Sequence, residues 1–503
     1  MNENISIKQN KKLKILIASS EVVPFAKTGG LADVTGALPK ALKKLGHDVR
    51  VVLPKYKCIS EEKFNIKDTG KRVNIDIALV NHIGVIKQAF FPDTDIPVYF
   101  IDNDEFFNRE ELYRTPYGEY WDNIERFIFF SKAVVEMLKE IDFIPDVINC
   151  NDWHTGLIPV YLKTIYKNKY NGIYDSIATL YSIHNIAYQG YADKEKLSHA
   201  GLPWDLFTMD KLEFYGGINL MKGGIIFSDV INTVSENYKK ETETPEFGYY
   251  LDGVLKSRNG NYFGVINGVD YEIWNPATDK DIDINFDIDT IHLKKEMKKI
   301  LIKEIGLRYV ENVPLVCMVS RLDGQKGIDF IISIMDEILK MNLQFVILGT
   351  GEKWYHDILY NFQSRYPEKL SVHFKFDNKL AHKIYAGSDI LLMPSYFEPC
   401  GLGQLISLKY GTVPVVRAIG GLKDTVTQFN FKNKQGNGFL FYGNNPQDLL
   451  QTIRIVIDTY KNKSVWTKLM INGMKEDFSW DHSAQEYVKL YYKAIENKKI
   501  NNL

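Results

Sequence analysis

The feature that most constrains this chain is a recurring alternation. Short, almost unbroken apolar runs are followed by loops and then by amphipathic helical segments. Residues 13–19 (LKILIAS) form the first run, residues 31–45 a helical pattern, and residues 48–53 (DVRVVL) the next run. A strand of a parallel sheet is covered on both faces, so its sequence is apolar throughout instead of alternating. Parallel neighbours also need a long crossover, usually a helix. Runs at 98–102, 146–149, 177–182 and 230–233 continue the series, with a long amphipathic helix predicted over 122–141. A second series starts near residue 313: VPLVCMVSR, a helix predicted over 326–341, QFVILGTG, VHFKF, DILLMPS and VPVVR. The chain therefore reads as two doubly wound α/β halves, joined in the polar, weakly periodic stretch 264–286 and closed by a helix over 480–497.

A length of 503 residues suits two or three domains and lets each bury its own core without disulfide or metal staples. The net charge of −1 offers no global field for gathering nucleic acid, so no nucleic-acid partner is expected. Four cysteines, Cys58, Cys150, Cys317 and Cys400, form no CxxC pair and complete no zinc pattern. They read as reduced thiols of a cytoplasmic protein. No apolar run is long enough to span a bilayer, and the N-terminus lacks the pattern of a secretory signal, so no membrane partner is expected.

Ligands of doubly wound sheets bind beyond the C-terminal ends of the strands. The loops at those ends carry the unusual residues. In EVVPFAKTGGLAD, Lys27 precedes Gly29-Gly30 and a helix start, which suits close approach of a phosphate; a tight turn with a solvated lysine is the plain alternative. CNDWHTG places Asp152 and His154 after a strand, as site residues or as a helix cap and a packed ring. SIHNIAYQG places His184 directly after another strand. SRLDGQKG holds Arg321 and Lys326, a planar fork and a point charge suited to a departing diphosphate. PSYFEPCGLGQ holds Glu398 between two prolines, with the GLG opening a helix, and Gly420-Gly421 follows a further strand. Neither a Walker A loop nor a GxGxxG fingerprint is present. Cations, a carboxylate and phosphate-suited helix starts together point to a nucleotide-diphosphate donor held between domains.

KTGGLADV, NDWHTGL, SIHNIAYQG, NGVD, SRLDGQKG, PSYFEPCGLGQL and GGLKDTV occur in the order found in bacterial glycogen synthases and plant starch synthases, and over 13–492 the chain resembles that family. The resemblance implies a GT-B fold: two Rossmann-like domains, residues 1–265 on the acceptor side and 266–480 for the nucleotide sugar, facing an interdomain cleft. Residues 481–503 would form a C-terminal helix crossing back to the first domain. It implies a retaining glucosyltransferase that moves glucose from ADP-glucose to the non-reducing 4-OH end of an α-1,4-glucan such as glycogen, with no cofactor and no metal.

Carried over by motif, Lys27 contacts donor phosphate or glucose, with Gly29 and Gly30 giving backbone access. Arg321 and Lys326 stabilise the departing diphosphate. His184 sits beside the sugar, Asp152 faces the acceptor side, and Cys400, Gly401 and Leu402 present backbone N–H groups. Phe376 stands where relatives often stack a tyrosine on adenine. Glu398 binds sugar hydroxyls in the usual family reading, with nucleophilic attack as the alternative. The chain departs from the family at Ile419 and Lys423, which replace Thr and Ala, and at Gly403, which replaces Thr. Other readings are another retaining GT-B transferase and a glucan-binding protein without activity. All five key charged or polar groups, Lys27, His184, Arg321, Lys326 and Glu398, are retained, which argues against the latter.

Overall fold

The computed structural model describes residues 11–115 and 117–501. They fall into two units. The first holds the described residues up to Val234, Lys239–Val265, and those from Trp480 onward; the second holds Ser235–Tyr238 and Ile266–Ser479.

The first unit is built on a nine-stranded sheet. Its strands are β1 (Lys14–Ala18), β2 (Asp48–Pro54), β3 (Lys67–Ile77), β4 (Val80–Phe90), β5 (Pro97–Asp102), β6 (Val147–Asn151), β7 (Ala178–Ile183), β8 (Val230–Thr233) and β9 (Tyr262–Gly264). The order is β9-β8-β7-β6-β1-β2-β5-β4-β3. From β9 to β5 every neighbour pair is parallel. Ile15, Leu16, Ile17 and Ala18 of β1 are all completely buried, as an apolar run covered on both faces requires. The long hairpin of β3 and β4 adds two antiparallel strands at one edge. No apolar run marks this hairpin, because β3 is half-exposed, with its buried residues, Val73, Ile75 and Ile77, alternating with exposed ones.

Helix Trp480–Asn501 belongs to this first unit and docks on polar groups inside the sheet. Asn149, Ser182 and Asn232 pass hydrogen bonds from strand to strand: Asn149 donates to Ser182 Oγ (2.8 Å), which donates to Asn232 Oδ1 (2.6 Å). From the helix, Tyr491 donates to Asn149 Oδ1 (3.0 Å), while the hydroxyl of Tyr487 accepts from Asn232 (3.4 Å). Buried amides without partners would cost about 1–3 kcal/mol each, so this ladder specifies where the helix lies.

The second unit carries β10 (Leu315–Val319), β11 (Gln344–Leu348), β12 (Leu370–His373), β13 (Ile390–Met393), β14 (Val413–Arg417) and β15 (Phe439–Phe441). Their order is β12-β11-β10-β13-β14-β15, and every pairing is parallel. The two-residue period sorts the strands' side chains onto two cores. Val316, Met318, Phe345, Ile347, Ile390 and Leu392 enter one, and Leu315, Cys317, Val346, Leu348 and Leu391 the other. Asp279 fastens the segment ahead of this sheet: its Oδ2 receives the Tyr410 hydroxyl (2.5 Å) and lies 2.7 Å from His382 Nδ1, and its Oδ1 accepts from the Asp281 amide. Asp279, Asp281 and His382 are the one cluster of metal-ligand-type groups among the described residues. Both Asp279 oxygens are filled by protein donors, so the trio works as a fastening.

The helix expected over 326–341 is instead three pieces: a single 3-10 turn, Gly324–Lys326, then helices Ile328–Ser333 and Met335–Lys340. Gly327 breaks the first junction. It sits at φ 69°, and a Cβ there would lie 2.0 Å from the Pro394 carbonyl oxygen. Lys326 thus stands in its own turn, capped by Asp323, instead of on a continuous helix. Among the described residues no helix is long and apolar enough to cross a membrane.

Asp279→Ala is expected to strand the buried His382 and Tyr410 donors and to lower stability by about 3 kcal/mol, read as a reduced midpoint in chemical denaturation. An unchanged midpoint would show that the fastening carries no weight.

Candidate functional site

In the first unit, chain order reverses at β1, which has β2 on one side and β6 on the other. Doubly wound sheets bind ligands beyond the strand ends at such a switch point, and the loops after β1, β6 and β7 leave from those ends. The loop after β1 is organised by a residue the motif reading passed over, Glu21. Its buried carboxylate accepts from the Thr28 amide (2.5 Å), the Thr28 hydroxyl (2.6 Å) and the Gly29 amide (3.0 Å), and from Tyr113 Oη (2.9 Å). This sets the entrance of helix Gly30–Lys44. A Cβ on Gly29 or Gly30 would meet no protein atom within 4 Å, and neither residue has a positive φ. Among the described residues, nothing packed around these two positions demands glycine. Lys27 is half-exposed and held by Asp33 at 2.6 Å. Burial raises the Asp33 carboxyl above its usual range, and Lys27 pulls it back.

After β6, Asp152 takes φ 53°, an uncommon backbone state for a residue other than glycine. It makes no helix cap. Its Oδ1 instead accepts from the His184 amide (2.8 Å) and, more weakly, the Asn185 amide (3.5 Å). Asp152 is therefore what holds the turn that carries His184. Burial pushes its carboxyl up to about 7, against the pull of those amides. His154 is packing: its ring stacks between Trp153 (4.2 Å) and Tyr113 (4.8 Å).

The His184 ring has a defined orientation and tautomer. Asn151 donates its amide hydrogens to the carbonyls of Ala18 (3.0 Å) and Asn149 (3.2 Å). Its Oδ1 must then face outward, and it accepts from His184 Nε2 at 2.9 Å. The proton sits on Nε2, leaving Nδ1 as a lone-pair acceptor with no protein partner. Burial lowers the imidazole to about 3, so it is neutral at physiological pH. A neutral acceptor suits a sugar hydroxyl. Asn151 is a second residue the sequence reading missed; it lies one position before the NDW motif's Asp152.

In the second unit the order reverses at β10, between β11 and β13. Lys326 and Glu398, from the loops after β10 and β13, meet: Lys326 Nζ lies 2.6 Å from Glu398 Oε2, which also accepts from Ser395 Oγ at 3.0 Å. Their side chains are only 17% and 7% exposed. Gln325 locks the loops together, donating to the Phe397 carbonyl (3.0 Å) and accepting from the Tyr396 amide (2.9 Å). Arg321 is mostly exposed and lies 3.2 Å from Asp323.

Gly401, at φ 75°, leads into helix Gly403–Lys409. The Gln404 amide, unremarked in the sequence, spans the carbonyls of Cys400 and Gly401 and the Thr425 hydroxyl. Gly420 and Gly421 have a packing duty. A Cβ on either would overlap the backbone of Glu398 or Cys400 (1.9 and 2.3 Å), and the Gly421 amide donates to the carbonyls of Glu398 and Pro399. The Cys400 thiol is buried and pushed up to about 12, which removes it as a nucleophile. Phe376, past the end of β12, is 84% exposed, a free aromatic face at a strand end. Leu402 is part-buried in the same loop as Gly401.

Residues 14–257 match the family model described as starch synthase catalytic domain, and residues 304–469 the model described as glycosyl transferases group 1. The chain is 48% identical over 490 residues to a glycogen synthase of Geotalea daltonii, covering 97% of this chain and 100% of that one. It is 45% identical over 488 residues to a glycogen synthase of Thermotoga maritima, covering 96% and 99%. The catalytic domain of starch synthase IV from Arabidopsis thaliana, solved bound to ADP and acarbose, matches with a TM-score of 0.88 at 32% identity, over 97% of this chain and 100% of that one. A sucrose-phosphate synthase from Thermosynechococcus elongatus shares the fold, at a TM-score of 0.59 and 16% identity over 96% and 98%.

The imidazole gives a direct check. Nitrogen-detected NMR is expected to show His184 as the neutral Nε2–H tautomer from pH 8 down to about pH 4; protonation near the ordinary value of 6.5 would contradict the geometry. Because the folded value lies below the unfolded one, its contribution to stability is full above pH 6.5 and is lost as pH falls toward 3.

Proposed function

The chain belongs to the glycogen synthase and starch synthase family and is a glucosyltransferase of glycogen synthesis; from that premise we propose that its donor is ADP-glucose and that its acceptor is the non-reducing 4-OH end of an α-1,4-glucan, with retention of configuration. The observation that carries this reading is the buried Lys326–Glu398 pair at the switch point of the second unit. A fixed, part-buried ammonium stabilises charge better than one in bulk solvent, and the charge that grows during transfer is that of the departing diphosphate. The solved relative that holds ADP and acarbose supports an adenine nucleotide and a glucan-like acceptor for this chain. The exposed Phe376 ring suits an adenine.

The roles follow from the chemistry of each group. Lys326 and Arg321 neutralise the leaving diphosphate, and Lys27, with Gly29 and Gly30, gives the donor a cation and open backbone. Cys400, Gly401 and Leu402 offer main-chain donors. His184 accepts a hydrogen bond from a glucose hydroxyl through Nδ1, and Asp152 acts on the acceptor side by fixing the His184 turn. Glu398 Oε2 is engaged by both Lys326 and Ser395, which disfavours attack on carbon and supports hydroxyl binding. Protein cations take the part that a metal plays in other nucleotide-sugar transferases. The four free cysteines support a cytoplasmic setting.

Nucleoside-diphosphate release from ADP-glucose and from UDP-glucose, each with and without glycogen, tests the reading. Glycogen-dependent ADP release is the expected result. A preference for UDP-glucose would overturn the donor, and release from neither would overturn the activity.

A further inference from the structure

A group of aromatic side chains in the first unit is exposed at the cost of backbone strain. Strands Glu213–Phe214 and Gly217–Asn219 pair antiparallel, with Phe214 opposite Gly217, so the hairpin turn is just Tyr215-Gly216. Both turn residues have positive φ, 48° and 84°. Two-residue turns of this kind favour Asn, Asp or Gly at the first position. Tyrosine there is disfavoured, and little of its surface is buried in return, since Tyr215 is 72% exposed. The same happens again at Tyr249-Tyr250, two consecutive non-glycine residues at φ 46° and 66°, with Tyr250 74% exposed. A local rule broken twice in one place, at rings that stay exposed, is consistent with a functional surface.

The rings form one continuous edge-on array. Phe214 meets Tyr215 at 4.8 Å and Tyr215 meets Tyr250 at 5.5 Å, both near-perpendicular, and Tyr191 joins through Phe214 at 6.3 Å. Gly217 lets Tyr191 lie close, since a Cβ there would come within 2.8 Å of its ring. The array is tied to the loop that carries His184. Gln189, five residues on, donates to the Tyr249 and Ile186 carbonyls (3.0 and 3.1 Å) and accepts from Asn219 (2.6 Å), which caps the helix after the hairpin.

We infer that Tyr191, Tyr215 and Tyr250 form a stacking platform for the glucan acceptor, binding glucose units remote from the reacting end. This rests on the proposed reaction. Pyranose rings present flat C–H faces that pack on aromatic rings, while the tyrosine hydroxyls stay in water to meet sugar hydroxyls. A chain gripped there and delivered along the Gln189 tie would be guided toward the His184 turn. A connected array of exposed rings differs from the scattered surface apolar residues that need no explanation.

Tyr215→Asn gives the sharpest test, because it restores the preferred turn residue and removes the ring. The expected result is a higher Tm together with weaker equilibrium binding of maltoheptaose, by about fivefold to tenfold. Tyr250→Ala is expected to weaken binding similarly, and the double variant to raise the apparent KM for glycogen about tenfold or more. Folded variants that bind maltoheptaose like the parent would overturn the platform. The binding readout needs no donor, so it separates the two readings: a parent enzyme that releases no nucleoside diphosphate, but whose maltoheptaose binding is lost in the variants, would refute the reaction and keep the platform.

Discussion

Both units depend on one constraint: a parallel sheet covered on both faces has no room for polar side chains along its strands. Every strand of the second unit pairs in parallel, and its side chains divide into two apolar cores. Polar chemistry is therefore pushed to the strand ends and concentrates where chain order reverses. That is where Glu21, Asp152 and His184 stand in one unit and Arg321, Lys326 and Glu398 in the other. Among the buried polar residues inside the first sheet, Asn149, Ser182 and Asn232 satisfy one another and the tyrosines of the terminal helix.

In each unit the candidate cations have carboxylate partners: Lys27 has Asp33 in the first, and Arg321 has Asp323 and Lys326 has Glu398 in the second. Depth separates them. The Lys27 and Arg321 side chains are 45% and 61% exposed, so water and salt screen their pairs, which are worth about 1 kcal/mol or less. The Lys326–Glu398 pair is less exposed, at 17% and 7%, so water and salt screen it less. In the first unit, burial keeps the His184 imidazole neutral and raises the Asp152 carboxyl that holds its turn.

Much of this was legible in the sequence because apolar runs report buried parallel strands directly. The runs at 48–53 and 230–233 became β2 (Asp48–Pro54) and β8 (Val230–Thr233). The β3–β4 hairpin escaped because its strands are partly exposed and a register shift between Asp68 and Arg72 interrupts the alternation. The motif residues stood out by type, but their supports did not. Glu21, Asn151 and Gln404 act through carboxylate or amide bonds to backbone groups distant in the chain, and no local pattern announces such contacts. The helix expected to contain Lys326 broke at Gly327, where close approach of the Pro394 carbonyl excludes a side chain. The strained tyrosines were invisible for the opposite reason: sequence preference argues against tyrosine at positive φ, so only backbone geometry reveals them.

The central claim is that Lys326 supplies a buried charge that matters most as the diphosphate leaves. Lys326→Gln removes the charge and keeps a hydrogen-bond donor for Glu398, so it separates charge from packing. Steady-state kinetics with varied ADP-glucose at saturating glycogen measures the effect. The account predicts a fall in kcat of about 100-fold to 1,000-fold, with KM for ADP-glucose changed only severalfold. A large rise in KM with kcat intact would contradict it, placing Lys326 in ground-state donor binding instead.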